Sequence, residues 1–312
     1  MKILGISGGT PNGNNDAMCK QALMGAESMG AQVQFINLNQ LHIAHCTGCK
    51  ACVMGLFSGK GSLCVLKDDF EWLLDQMYDS DGIIWSVPIF EKGATGLFHT
   101  ITDRFGPRMD RGNLTIAAKI SAERGGKAID PRFLQDKLVS YMGVGGSDWT
   151  TRVQCDFGIQ ALTPMWKIID NRVFPWSLDI MMNDKALAEA KQVGINMEQA
   201  AGRPSKAAYQ GEAGICGHCH SRNFYLQEDG KGICCLCGIE GRIEVADGKY
   251  RFIFPEEQLA HAHDTLSGKF IHGDDIQKNE GKARAAMSTD EAKRRRQTYR
   301  DYIQSSKPGK GA

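Results

Sequence analysis

A doubly wound α/β fold follows from three features of the first 200 residues. Short apolar runs alternate with longer amphipathic segments, the pattern of strands joined by helical crossovers. Two runs, Gly82–Val87 and Lys137–Val144, are apolar almost throughout, as in strands covered on both faces. A loop of small polar residues, Ser7–Asn15, follows the first run, where an open parallel sheet places its ligand.

The elements read in order as follows. Lys2–Ser7 is a strand, and Asp16 to Met29 has helical periodicity. Ala31–Leu38 alternates as a second strand, and Asp68–Tyr78 is a helix with an acidic start. Gly82–Val87 is the third strand, Gly93–Phe105 a helix, and Lys137–Val144 the fourth strand, broken by Gly143–Gly146. Val173–Ile180 is expected as a fifth strand and Asn183–Ala201 as a helix rich in Ala, Glu and Lys. These elements make residues 1–202 one domain, followed by a linker, 203–213. Paired cysteines, short strands and tight turns then mark a small module at 214–255. The remainder, 256–312, reads as a helical or disordered basic tail. Its last stretch, Gly281 to Ala312, has nine Lys/Arg against three Asp/Glu, and fraying is expected there.

The 312 residues suffice for one sizeable core and a smaller second unit. A net charge of +1 gives no reason to expect a nucleic-acid partner, and no apolar run approaches the roughly 20 residues of a membrane span. The first residues lack signal-peptide character, so a cytoplasmic location is expected. Eleven cysteines are many for reducing cytosol, and eight of them fall into two clusters with metal-ligand spacing. Of the other three (Cys19, Cys155 and Cys235), Cys19 lies in an apolar helical pattern and is expected to be a buried, inert thiol.

The loop Ser7-Gly-Gly-Thr-Pro-Asn-Gly-Asn-Asn15 exposes backbone N–H groups ahead of a helix N-terminus, which suits a phosphate. A plain polar turn is the alternative. A second loop follows the third strand, Ser86-Val-Pro-Ile-Phe-Glu-Lys-Gly93, leading to Gly96-Leu-Phe and Asp103-Arg-Phe. A third is Met142-Gly-Val-Gly-Gly146. In these three loops, over about residues 1–200, the chain resembles the NADPH-dependent FMN reductase and iron–sulfur flavoprotein group of flavodoxin-like enzymes. The resemblance implies that FMN phosphate is held by the first loop, with Ser7, Gly9, Thr10, Asn12, Asn14 and Asn15 as candidates. It also implies that Pro88, Ile89, Phe90, Gly93, Gly145 and Gly146 border the flavin ring. The family usually has Ser and Arg where this chain has Gly9 and Pro11, and Thr where it has Asp16. A lost cation and an added carboxylate are expected to weaken phosphate binding by about 1–3 kcal/mol if uncompensated.

Cys46, Cys49, Cys52 and Cys64 form C-x2-C-x2-C-x11-C just after the second strand. Four thiolates suit a [4Fe–4S] cluster, and iron–sulfur flavoproteins carry a similar motif with a shorter last spacing. Free structural thiols and zinc are the other occupancies this spacing admits. Cys216, Cys219, Cys234 and Cys237 form C-x2-C-x14-C-x2-C, which fits one tetrahedral zinc in a ribbon whose metal supplies much of its folding energy. A rubredoxin-like iron and a partner-binding role are the alternatives there.

The function expected is that of an FMN-dependent oxidoreductase. It takes electrons from NAD(P)H or a small, ferredoxin-type carrier and reduces a small organic acceptor, as a homo-oligomer with the flavin near a subunit interface. An electron-transfer protein with no substrate of its own is one alternative. A zinc-ribbon binding module on a cofactor-free α/β domain is the other. Tyr141, His99 and Glu91 lie near the loops, and none declares itself as a general acid.

Overall fold

The computed structural model describes residues 1–62 and 64–307. Two compact units result: Met1–Lys269, and a second that begins at Phe270. In the first, five parallel strands form the central sheet: β1 (Lys2–Ser7), β2 (Gln32–Asn37), β3 (Gly82–Phe90), β5 (Leu138–Val144) and β6 (Lys167–Phe174). Their order is β2-β1-β3-β5-β6, with the two-residue β4 (Gly93–Ala94) antiparallel on β3. The order reverses between β1 and β3, and the crevice above that point is where doubly wound sheets bind ligands.

Apolar layers cover both faces. On one, α1 (Asn14–Ser28) and α8 (Asp184–Gly202) bury Met18, Leu23, Val193 and Met197 against Ile3, Ile84 and Leu138. The two helices cross closely because both are bare at the contact. A Cβ on Gly194 would lie 2.7 Å from the Ala22 carbonyl carbon, and one on Gly25 2.9 Å from that of Lys191. On the other face, α3 (Phe70–Tyr78), α4 (Gly96–Thr102), the short α5 (Gly106–Met109) and α7 (Val153–Leu162) enclose Trp85, Phe98, Tyr141 and Phe157. Two further helices, α2 (Ala51–Phe57) and α6 (Arg111–Arg124), pack through Leu56 and Leu114.

Three expectations need correction, and two helices stand where the sequence shows no clear element. The fifth strand begins at Lys167 and ends at Phe174, because Pro175 offers no N–H and Trp176 turns to φ +54°. The helix expected from Gly93 begins at Gly96; Glu91 and Lys92 both have positive φ and fold the chain back as a hairpin first. The helices α6 and α7 were not expected, since neither shows a clean apolar stripe in sequence. The basic tail forms helices, α9 (Leu266–Met287) and α10 (Asp290–Tyr302), rather than fraying through this length. Thr289 caps α10 by accepting the Ala292 N–H, and Glu291 pairs with Arg294 and Arg295.

The cysteine module is a four-stranded antiparallel sheet, β7 (Phe224–Leu226), β8 (Lys231–Cys234), β9 (Glu240–Ala246) and β10 (Lys249–Ile253), in the order β10-β9-β8-β7. Its small core of Cys216, Cys234, Leu236, Cys237, Ile239 and Phe252 continues into Cys155 of α7. Leu236 fits against Gly158, where a Cβ would lie 2.6 Å from its Cδ2.

Candidate active site

The three loops meet at the carboxyl edge of the sheet. Ser7 ends β1 fully buried, and the Gly8 N–H donates to Ser86 O at 2.9 Å, tying the first loop to β3. A Cβ on Gly9 would lie 2.6 Å from Asn15 Cβ, so this glycine lets the first loop fold back on the start of α1, while a Cβ on Gly8 would meet Pro88 Cδ at an ordinary 3.4 Å. Asn15 is buried and accepts the Ser86 hydroxyl at 3.1 Å. Asn14 reaches across the edge, its Nδ2 donating to Ser177 O at 2.8 Å and Leu178 O at 3.1 Å. Thr10 and Asn12 are exposed, with Asn12 at φ +61°. The N-cap of α1 is Gly13, and no side chain caps the helix, which suits an anion at its first N–H groups.

Asp16, in the first turn of α1, has both carboxylate oxygens engaged by the protein. It is 3% exposed; Oδ2 accepts the Asn12 N–H at 2.7 Å and Oδ1 accepts Asn37 Nδ2 at 2.7 Å. Asn37 also donates to Gly9 O at 3.0 Å, and Asn39 Nδ2 to Gly9 O at 2.8 Å. The carboxylate and two asparagines from the end of β2 thus hold the loop from beneath. Asp16, expected as a repulsive neighbour of the phosphate, also anchors the loop, and Asn37 and Asn39 join it there. Their signal was small amides at the carboxyl end of a strand.

In the second loop, which is expected to border the ring, Pro88 and Ile89 are half-buried and Phe90 is 64% exposed. Ile89 packs under Gly145, where a Cβ would lie 3.3 Å from its Cδ1, while Gly146 is exposed. Gly93 is buried against Arg152 and Asp156, and Asp156 Oδ2 accepts the Ala94 N–H at 2.8 Å. His99 lies 3.7 Å from Asp156. Tyr141 is fully buried, stacked on Phe157 at 5.0 Å with its hydroxyl bonded to Gln160, and burial raises its pKa well above the usual phenol value. Glu91 is exposed at the hairpin tip. Of these three, only His99 combines partial exposure with a nearby carboxylate. The glycine cradle and the uncapped helix fit a flavin phosphate and ring.

The two cysteine clusters differ. The ligand atoms of Cys216, Cys219, Cys234 and Cys237 all lie within 4.8 Å of one another. Among the described residues no other His, Cys, Asp or Glu group of three or more is so gathered, and Cys46, Cys49, Cys52 and Cys64 are not. Cys46 and Cys49 are exposed; the Ala51 N–H and the Thr47 hydroxyl lower the Cys49 pKa. Beneath this loop lie two buried arginines. Arg104 pairs with Asp68, and Arg108 binds Glu71 through two bonds of 2.6 and 3.0 Å, while Glu71 accepts the Cys64 N–H at 3.3 Å. Cys19 is buried against Gly5, and burial raises its pKa, as expected for an inert thiol.

Residues 1–156 match the model of the NADPH-dependent FMN reductase family. The chain belongs to this family. It is a flavin-dependent oxidoreductase with a flavodoxin-like fold. The solved structure of a flavone reductase is 60% identical, covers 99% of this chain and 100% of that chain, and superimposes with a TM-score of 0.90. Flavone synthase cfoJ of Aspergillus candidus is 26% identical over 290 residues, 89% of each chain. The iron–sulfur flavoprotein MJ0731 of Methanocaldococcus jannaschii is 26% identical over 166 residues, 50% of this chain and 81% of its relative. Among the described residues no helix is long and apolar enough to cross a membrane.

Proposed function

We propose that this FMN reductase-family chain is an NAD(P)H-driven reductase of a flavone-type acceptor. The observation that carries the reading is the 60% identity with a flavone reductase across the whole length of both chains. In a flavone the ring ketone polarises the adjacent double bond. Adding a hydride and a proton across that bond gives a flavanone, while NAD(P)H becomes NAD(P)⁺.

Bound FMN supplies the two-electron hydride chemistry between nicotinamide and acceptor. The chain's share is binding and orientation. The backbone of Ser7–Asn15 and the α1 N-terminus hold the phosphate, with Asn14 and Asn15 fixing the loop to Ser177 and Ser86. Pro88–Phe90 and Gly145–Gly146 border the ring, and the Asp156 bond to the Ala94 N–H keeps the β3–β4 hairpin in place. Zinc is assigned to Cys216, Cys219, Cys234 and Cys237 as a structural ion.

The likeness to iron–sulfur flavoproteins supports a second reading, in which Cys46, Cys49, Cys52 and Cys64 carry a [4Fe–4S] cluster over the ion pairs Arg104–Asp68 and Arg108–Glu71. One anaerobic preparation tests both. The first reading expects flavone to be converted to flavanone at the expense of NAD(P)H, by a protein holding one zinc and no acid-labile sulfide. Iron with labile sulfide, and no NAD(P)H consumed with flavone, selects the second.

A further inference from the structure

Trp176 follows the end of β6 at φ +54°, in a region that sterics disfavour for any residue with a Cβ. The surrounding backbone holds it there. The Gly145 N–H donates to Phe174 O at 3.0 Å, and Ser177 returns its N–H and hydroxyl to Gly145 O at 3.0 and 2.7 Å. Asn14 Nδ2 donates to Ser177 O at 2.8 Å. These bonds join the turn to the phosphate loop on one side and to the ring loop on the other. Ser177 is 4% exposed, yet the neighbouring indole is 66% exposed. A strained turn, pinned on both flanks, therefore holds a large aromatic face in water at the edge of the flavin site. Strain that the surroundings maintain at such a position points to a use for the side chain.

The chemistry of the segment selects the partner. Phe174–Asn183 (FPWSLDIMMN) has one charged side chain, Asp179, and no Lys or Arg. Leu178 and Met182 of the same segment are 81% and 84% exposed. The segment itself offers a dinucleotide's phosphates no cation, whereas it offers a neutral planar ring an indole face and aliphatic edges. We infer that Trp176 is the stacking platform for the planar ring of the acceptor and determines specificity for it. This rests on the flavone-type reading above.

The test is the Kd of flavone for FMN-loaded, full-length protein, followed by flavin fluorescence, for wild type and for Trp176→Ala, Trp176→Phe and Trp176→Gly. Loss of the stacking face is expected to weaken binding roughly 10- to 30-fold in the Ala and Gly variants, with Phe restoring most of it. Because glycine adopts this φ freely, Trp176→Gly is expected to melt no lower than wild type. Equal Kd values for Trp, Phe and Ala overturn the proposal. So does an unchanged Kd with loss of oligomer mass by light scattering, which assigns the indole to a contact between copies. Absence of NAD(P)H consumption by wild type with flavone counts against the activity, whereas the Kd series tests Trp176 without turnover.

Discussion

Replacing Asp16 separates two opposed effects at the phosphate loop. A carboxylate in the first turn of α1 repels a phosphate, and its removal is worth about 1–2 kcal/mol to FMN at the effective dielectric of a partly solvated site. Against this, Asp16→Ala leaves Asn37 Nδ2 without a partner it holds at 2.7 Å and frees the Asn12 N–H, also held at 2.7 Å. An unmet buried donor costs about 1–3 kcal/mol, and the left-handed Asn12 turn loses its anchor as well. The loop must then be ordered again when FMN binds. Taking about 2 kcal/mol for the buried Asn37 donor and about 1 kcal/mol for the part-buried Asn12 N–H against about 1.5 kcal/mol of relieved repulsion, the scaffold effect wins by about 1.5 kcal/mol, roughly a 10-fold rise in the Kd for FMN. Asp16→Asn keeps the shape but one acceptor only, and falls between. The assay is FMN titration of the apoprotein at fixed ionic strength. Tighter FMN binding by Asp16→Ala would refute this reasoning and restore the carboxylate as a simple repulsive neighbour.

Other outcomes follow from the same contacts. Tyr141→Phe retains turnover with NAD(P)H and flavone, because the buried hydroxyl serves Gln160 and is not a proton donor; a loss of kcat above about tenfold would assign it to the chemistry. The buried Lys137 amino group, which donates to Tyr78 O and Ser80 O, has its pKa pushed down to about 8 by burial. Its folded value lies below the unfolded 10.5, so the unfolded chain binds more protons between pH 8 and 10.5, and this lysine's contribution to stability rises across that window. Urea unfolding at both ends should show a gain of at most about 3 kcal/mol that Lys137→Met lacks. Gly194→Ala forces α1 and α8 apart and lowers stability by about 3 kcal/mol or more, read as the urea midpoint; an unchanged midpoint would show that the crossing relaxes freely.

Much of this architecture could be read from the chain because local and global signals agree. Apolar runs such as Gly82–Val87 lie in the sheet centre, and the glycine loops fall at strand ends, where a parallel sheet must put its ligand. The ribbon thiols were legible because four ligands at this spacing have one compact solution, which the structure forms. What escaped reading depends on partners distant in sequence. Asn14 meets Ser177 across 163 positions, and nothing near either residue announces it. The inward turn of Asp16 depends on Asn37, and the floor of the cysteine loop on Arg104 and Arg108 from a different part of the fold. Helix α6 lacks a stripe because it buries few side chains, Leu114 and Ala117 among them, along its length.

The most direct measurement is the visible spectrum of the FMN-loaded protein without oxygen, followed through addition of NAD(P)H and then of flavone. A yellow flavin band that bleaches with NAD(P)H and returns in proportion to added flavone is the result this account predicts. A band that NAD(P)H leaves unchanged, or that stays bleached when flavone is added, would contradict it.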